Sequence, residues 1–211
     1  DLEFEDAVDS DGQRHPLTQG TFIKCLESDD RTLRQSAYDN LYAKYGAYNN
    51  TLSSTLAGEV KKNVFNARTH NYNSAREAAL SNNHIPEEVY DNLVATVHKY
   101  LPLLHRYTQL RKELLDLDDM KMYDLYTPLV KDVKFEMPYE EAKKWMLEAL
   151  QPMGEEYMEV VKEGLENRWV DVYENKGKRS GGYSSGAHLT NPFILLNLSL
   201  IHISEPTRLL S

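Results

Sequence analysis

The residues with the most chemical promise lie between Lys176 and Gly186. These eleven positions hold the cations Lys176, Lys178 and Arg179 and four of the chain's ten glycines, Gly177, Gly181, Gly182 and Gly186. Glycines next to cations can cradle a phosphate, whose charge is met by backbone N–H groups and a lysine. The spacing fails that test, because Gly177-Lys178 is followed by Arg179 and not by Ser or Thr. Nucleotide binding is therefore not expected. Gly181-Gly182-Tyr183-Ser184-Ser185 reads instead as a short strand with little bulk at its start, or as a flexible loop joining the strands on either side. Glycine within a strand marks a bulge or a place where another backbone comes close.

The other reactive side chains give no constellation. The seven histidines are scattered, and no His-Glu-x-x-His is present, the spacing that sets two imidazoles on one helical face around zinc. His98 and His105 lie two helical turns apart, where a surface or packed role fits better than a metal site. The pairs Glu87-Glu88, Glu140-Glu141 and Glu155-Glu156 fall in first helical turns, where they complement the helix dipole. The fourteen tyrosines recur mostly at helical intervals, as half-buried packing residues do.

Composition narrows the class of protein. A formal net charge of −9 argues against a grip on nucleic acid or an anionic membrane. One cysteine, Cys25, leaves no partner for an internal disulfide and suits a reducing, cytoplasmic setting. The longest mostly apolar stretch, 193–203, is too short to cross a bilayer as a helix. The expectation is a soluble, cytoplasmic monomer.

The elements that must position these residues are mainly helical. Leu2, Phe4 and Ala7, the turn signal Asp9-Ser10-Asp11-Gly12, and Arg14 to Leu17 predict an N-terminal hairpin. A short helix carrying Phe22, Ile23 and Leu26 follows. Leu33, Ala37, Leu41 and Tyr45 predict a helix after the cap candidates 28–30, and Val60, Val64 and Ala67 mark the next. Ser74-Ala75-Arg76-Glu77 is a capping box. Pro86 opens a helix whose buried side is expected to be Val89, Leu93, Val97, Leu104 and Leu110, with a break or kink between Tyr100 and Leu103. Helices also follow Pro138 and Pro152. Two runs, Trp169-Val170-Asp171-Val172-Tyr173 and Pro192-Phe193-Ile194-Leu195-Leu196, flank the glycines as strands. The fold class is mainly α, with a short N-terminal hairpin and a small β-sheet near the C-terminus.

Several stretches go further. Arg168-Trp169-Val170-Asp171-Val172-Tyr173-Glu174-Asn175, leading into Gly177 to Ser184, and Asn191 to Asn197 resemble oligoendopeptidase F, a zinc metallopeptidase of the thimet-oligopeptidase superfamily. So do Ala78 to Leu93, Pro102 to Tyr107, Met122 to Tyr126 with Pro128-Leu129-Val130, and Glu140 to Ala142. The resemblance covers residues 1–197 and implies a helical, zincin-type peptidase fragment that forms a channel wall and a substrate edge strand of the catalytic domain. It implies zinc as the cofactor of the full-length family, with none of its ligands in this chain, and short peptides as substrates. Substrate would lie along Gly181, Gly182, Tyr183, Ser184 and Ser185. From Leu198 the sequence departs and resembles a translated sequencing adapter, so 198–211 is expected to be a non-native tail. The chain alone is expected to be inactive and to fold poorly. Two further readings are a noncatalytic helical peptide-binding module and a different zinc site drawn from His98, His105 and His188.

Overall fold

In the computed structural model the described residues are 2–130, 138–175, 178 and 181–198. The chain divides into two compact units: residues 1–41 with 126–211, and residues 42–125.

The first unit begins with the hairpin of β1 (Ala7–Val8) and β2 (Arg14–His15), paired antiparallel with Ala7 opposite His15. Its turn is built by Asp9, whose Oδ1 accepts the amides of Asp11 at 3.1 Å and Gln13 at 2.8 Å, and by Gly12 at φ +81°. A short α1 (Phe22–Leu26) follows, then α2 (Arg31–Ala47), within which the division between the units falls. Asp30 caps α2 by accepting the Thr32 amide at 2.8 Å, and its other oxygen takes the Ser10 amide at 2.7 Å. With Val8 N–H donating to Ser36 Oγ and Asn40 Nδ2 to the Asp6 carbonyl, the hairpin is strapped to the helix. Ala7, Leu17, Leu26, Leu33, Ala37 and Leu41 are the buried apolar residues of this part of the chain. Cys25 is buried there too, and burial pushes its thiol pKa up, which makes it a packing residue and not a nucleophile.

The later part of this unit contains α6 (Tyr139–Ala149), α7 (Glu155–Glu166) and a sheet of β3 (Val170–Tyr173), β4 (Tyr183–Ser185) and β5 (Phe193–Leu198). The order is β3-β5-β4, with β5 parallel to β3 and antiparallel to β4. Gly164 in α7 lies so close to Trp169 that an added Cβ would sit 2.8 Å from the indole Cε3. Only a residue without a side chain lets the tryptophan fold back on the helix. The Tyr139 ring meets Tyr173 edge-on at 6.4 Å, placing the start of α6 against β3.

The second unit consists of α3 (Asn49–Thr69), α4 (Ala75–Ser81), α5 (Glu87–Leu114) and a 3-10 turn over Met122–Asp124. Ser74 caps α4 by accepting the Glu77 amide at 2.9 Å, but Glu77 takes the amide of Asn73, not of Ser74, so the box closes one residue early. Arg76 ties α4 to α5 through Glu87 and, at 2.7 Å, Asp91. Helix α5 runs through Pro102 without a break. The proline orphans the carbonyl four residues earlier, that of His98, and His98 lies in an exposed turn where water can satisfy it. The expected buried side of α5 is also corrected: Val89, Leu93, Val97, Leu104 and Leu110 are all exposed. Helical periodicity shows which face is apolar, and nothing among the described residues covers this one.

Candidate functional site

The site is the outer edge of the three-stranded sheet. β4 hydrogen-bonds β5 on one side only, in the register Tyr183↔Leu195, Ser184↔Ile194 and Ser185↔Phe193. Tyr183, Ser184 and Ser185 are exposed. Pairing across the sheet and alternation along each strand then assign the faces. Ser184, Ile194, Val170 and the buried Val172 share the core side. Tyr183, Ser185, Phe193, Leu195 and Asp171 share the other side, on which Tyr183 and Phe193 are open to solvent.

The two glycines before β4 differ in what they require. Gly181 has φ +117°, a conformation strained for any L side chain, and has open space where a Cβ would point. Gly182 has no such constraint: a Cβ there would touch Leu196 Cδ2 at 3.4 Å, an ordinary contact. Gly181 therefore sets the path into the strand, and Gly182 keeps its bulk low. The connection on to β5 turns through Leu189, at φ +67° and 92% exposed, with Thr190 Oγ1 accepting the Ala187 amide.

The cations of this stretch have a structural task where they are described. Lys178 carries a side chain only 5% exposed, and its Nζ donates to the Tyr173 carbonyl at 2.6 Å and the Asp171 carbonyl at 3.2 Å. It also pairs with Asp171 Oδ1 at 3.0 Å. An ammonium has three donors, and these three contacts leave none for a phosphate. Lys178 thus clamps the start of the glycine loop to β3. Lys176, Gly177, Arg179 and Ser180 lie outside the described residues, as do 199–211 of the expected tail. β5 itself continues to Leu198, opposite Tyr173, one residue past the expected boundary.

Sequence reading had no signal for one further link. Thr18 Oγ1 donates to Glu174 Oε1 at 2.7 Å, joining positions 156 residues apart at the end of β3. The alternative zinc site is not assembled. His98 and His105 lie along α5 and His188 in the loop after β4, and among the described residues no group of three or more His, Cys, Asp or Glu could hold a metal ion.

A mainly helical chain with a small mixed sheet and an open glycine-led edge places this protein with known peptidases: residues 25–210 match peptidase family M3, and the chain belongs to that family. It is 61% identical over 197 residues to oligopeptidase PepF of Bacillus subtilis, covering 93% of this chain and 29% of that one. It is 50% identical over 198 residues to group B oligopeptidase PepB of Streptococcus agalactiae, covering 93% and 33%. Among solved structures, oligoendopeptidase-F from Enterococcus faecium is 48% identical with a TM-score of 0.60, covering 78% of this chain and 31% of that one. PZ peptidase A, solved with an inhibitor, has a TM-score of 0.74 at 21% identity over 93% of this chain and 36% of that one, a likeness of fold alone. The resemblance to oligoendopeptidase F seen in the sequence holds. The chain spans about a third of the length of the curated relatives it matches.

Proposed function

We propose that this chain supplies the substrate-holding edge of a zinc-dependent oligopeptidase that cleaves short peptides. The observation that carries the reading is β4 itself: an outer strand, exposed along Tyr183, Ser184 and Ser185, and led by Gly181 and Gly182. Such an edge offers unpaired backbone N–H and C=O groups in a row, and an extended peptide can add to them as a further strand. Main-chain pairing grips peptides with little regard to sequence, while the peptide's side chains alternate between the two faces of the sheet. The substituent facing the open side would meet Tyr183 and Phe193, and Gly181 would let the peptide backbone approach without a Cβ in the way. Membership of a peptidase family and relatives named oligopeptidases support peptides as the ligand class.

Zinc is implied by the family resemblance, but the described residues do not fit it, since no metal-holding group of three donors occurs among them. No step is assigned to it here, and this chain by itself is proposed to bind peptides without cleaving them. Residues 1–197 are read as part of the catalytic domain and 198–211 as a foreign tail. Against that boundary, the family match extends to residue 210. Reading the uninterrupted gene past codon 197 decides it. No helix among the described residues is long and apolar enough to cross a membrane, and a cytoplasmic monomer is part of the same proposal.

The test is a titration of the chain with a short, unstructured peptide carrying a fluorophore. Successive amides of a strand point to opposite edges, so of Ser184→Pro and Ser185→Pro one removes an outward donor and the other breaks the ladder to β5. The outward one is expected to weaken binding about tenfold or more, the size of one lost main-chain contact in a dry groove. Unchanged affinity in both variants would sink the edge-strand reading. Turnover by the chain together with stoichiometric zinc would sink the noncatalytic part.

A further inference from the structure

The least satisfied surface of the molecule is in the second unit. Its buried apolar residues are Ala67, Ala78 and Leu115, a small core for a unit that contains two long helices. Every described position from 49 to 63 in α3 and from 88 to 100 in α5 is exposed. Yet both stretches are patterned for burial. Leu52, Leu56 and Val60 recur every four residues along α3 and stand 48%, 66% and 54% exposed. Along α5, Val89, Leu93 and Leu104 fall on one stripe, with Tyr100 and Tyr107 between and beyond them. At 100° per residue the side of α5 away from that stripe carries Glu88, Asp91, Arg106 and Glu113.

We infer that the apolar stripes of α3 and α5 are the seat of the remaining polypeptide of the full-length protein. Contiguous apolar stripes of this extent are rarely left to water in a soluble monomer. The polar side of α5 mixes acids with bases, unlike the Lys/Arg-rich face of a helix that lies on a membrane, and the chain's net charge of −9 opposes an anionic lipid surface. A second copy of the chain would have to be recruited from solution. The relatives, by contrast, carry about two thirds of their length outside the part matched here, joined covalently and so present at high effective concentration. This inference rests on family membership and is independent of the peptide-edge reading.

Hydrogen exchange tests it in two proteins. In the 211-residue chain at low micromolar concentration, amides 88–107 are expected to exchange at least about tenfold faster than those of α7. Equal protection at low concentration would show that the chain covers the stripe itself, and protection that rises with concentration would assign the stripe to a second copy; either overturns the inference. The second protein is the B. subtilis oligopeptidase with its matching residues replaced by those of this chain. There the same amides should slow by about a hundredfold or more. The pair Leu93→Glu and Leu104→Glu should abolish that gain, while Arg106→Glu on the polar side should leave it. Amides that stay fast in this chimera overturn the inference. Should the chimera not fold, the same substitutions at the matching positions of the unaltered B. subtilis protein give the same reading.

Discussion

The two units of this chain spend their sequence differently. In the first, helix periodicity, caps and long-range polar links converge: Leu26 and Ala37 are buried, and Val8, Ser10 and Asn40 each bond across 20 or more residues. In the second, the ties made by Arg76 are local. Arg76 reaches 11 residues to Glu87 and 15 to Asp91, and its guanidinium lies 5.5 Å from the Tyr90 ring, all at the surface. A helix in a protein is held mainly by what packs on its apolar face. In the first unit α2 has that face buried at Leu33, Ala37 and Leu41, whereas in the second α3 and α5 leave theirs open.

Substitutions that remove apolar bulk should expose this contrast most strongly. Leu26, 2% exposed, is expected to cost about 2–5 kcal/mol when changed to Ala, the range for large-to-small core changes. The same change at Leu93, 60% exposed, should stay within about 0.5 kcal/mol in this chain. Chemical denaturation followed by helical circular dichroism compares the two. Equal costs would mean that the second unit has a core after all. Gly164→Ala comes next. Its methyl would be driven into the Trp169 ring, and an overpacking cost of about 1–3 kcal/mol is expected, with a shift in tryptophan emission. Ser74→Ala, which removes the cap of α4, should cost about 1 kcal/mol, the largest single-site effect expected among the exposed helices of the second unit. A smaller loss there than in a matched peptide would mean that α4 is frayed before the change is made.

Much of this arrangement could be read from the sequence where a short-range signal carries it. Asp9 to Gly12 makes the hairpin turn, Asp30 and Ser74 are caps, Pro86 and Pro138 precede helices, β3 and β5 fall where the apolar runs lie, and β4 falls on the glycine-led run between them. The helix ends were harder to see. α3, α4 and α5 each stop with paired 6→1 and 5→2 backbone bonds around a residue at positive φ, but those residues are Asn71, His84 and Asp116 and not glycine. The strand order was also hidden, because β5 pairs with both earlier strands and nothing local to it says which is central. At the candidate site, the exposed edge was visible as a glycine-led run. The role of Lys178 was not, since a lysine among glycines is equally suited to a phosphate and to two carbonyls, and only the fold shows which is within reach. α5 is the plainest case: its apolar period was read correctly, and its burial was not, because a period does not contain the partner.

The smallest expected effect concerns acid, and it separates the units by charge. Hydrogen bonding from the His15 ring, then from the Gln13 and Asp11 amides, holds the Asp9 carboxyl below the usual carboxylate range. The Ser10 amide does the same for Asp30, helped by Thr32. Both pKa values are depressed in the folded chain, so the stability they lend is fully present above the ordinary carboxylate value of about 3.9 and is lost as pH falls through the lower folded values. Below about pH 4 the hairpin turn built on Asp9 and the Asp30 strap to α2 should therefore loosen. In the second unit, the Glu59 carboxyl is lowered by its bond to Lys62 on the same exposed helix turn, where screening leaves little to lose. Protection of the Ser10 and Gln13 amides, taken relative to the intrinsic exchange rate at each pH, should fall between pH 6 and pH 2 before that of α3 does. Asp9→Asn with Asp30→Asn should flatten that fall. If the double variant keeps the same acid limb as the parent, the loosening begins elsewhere, and these two carboxylates do not hold the turn and its strap to α2.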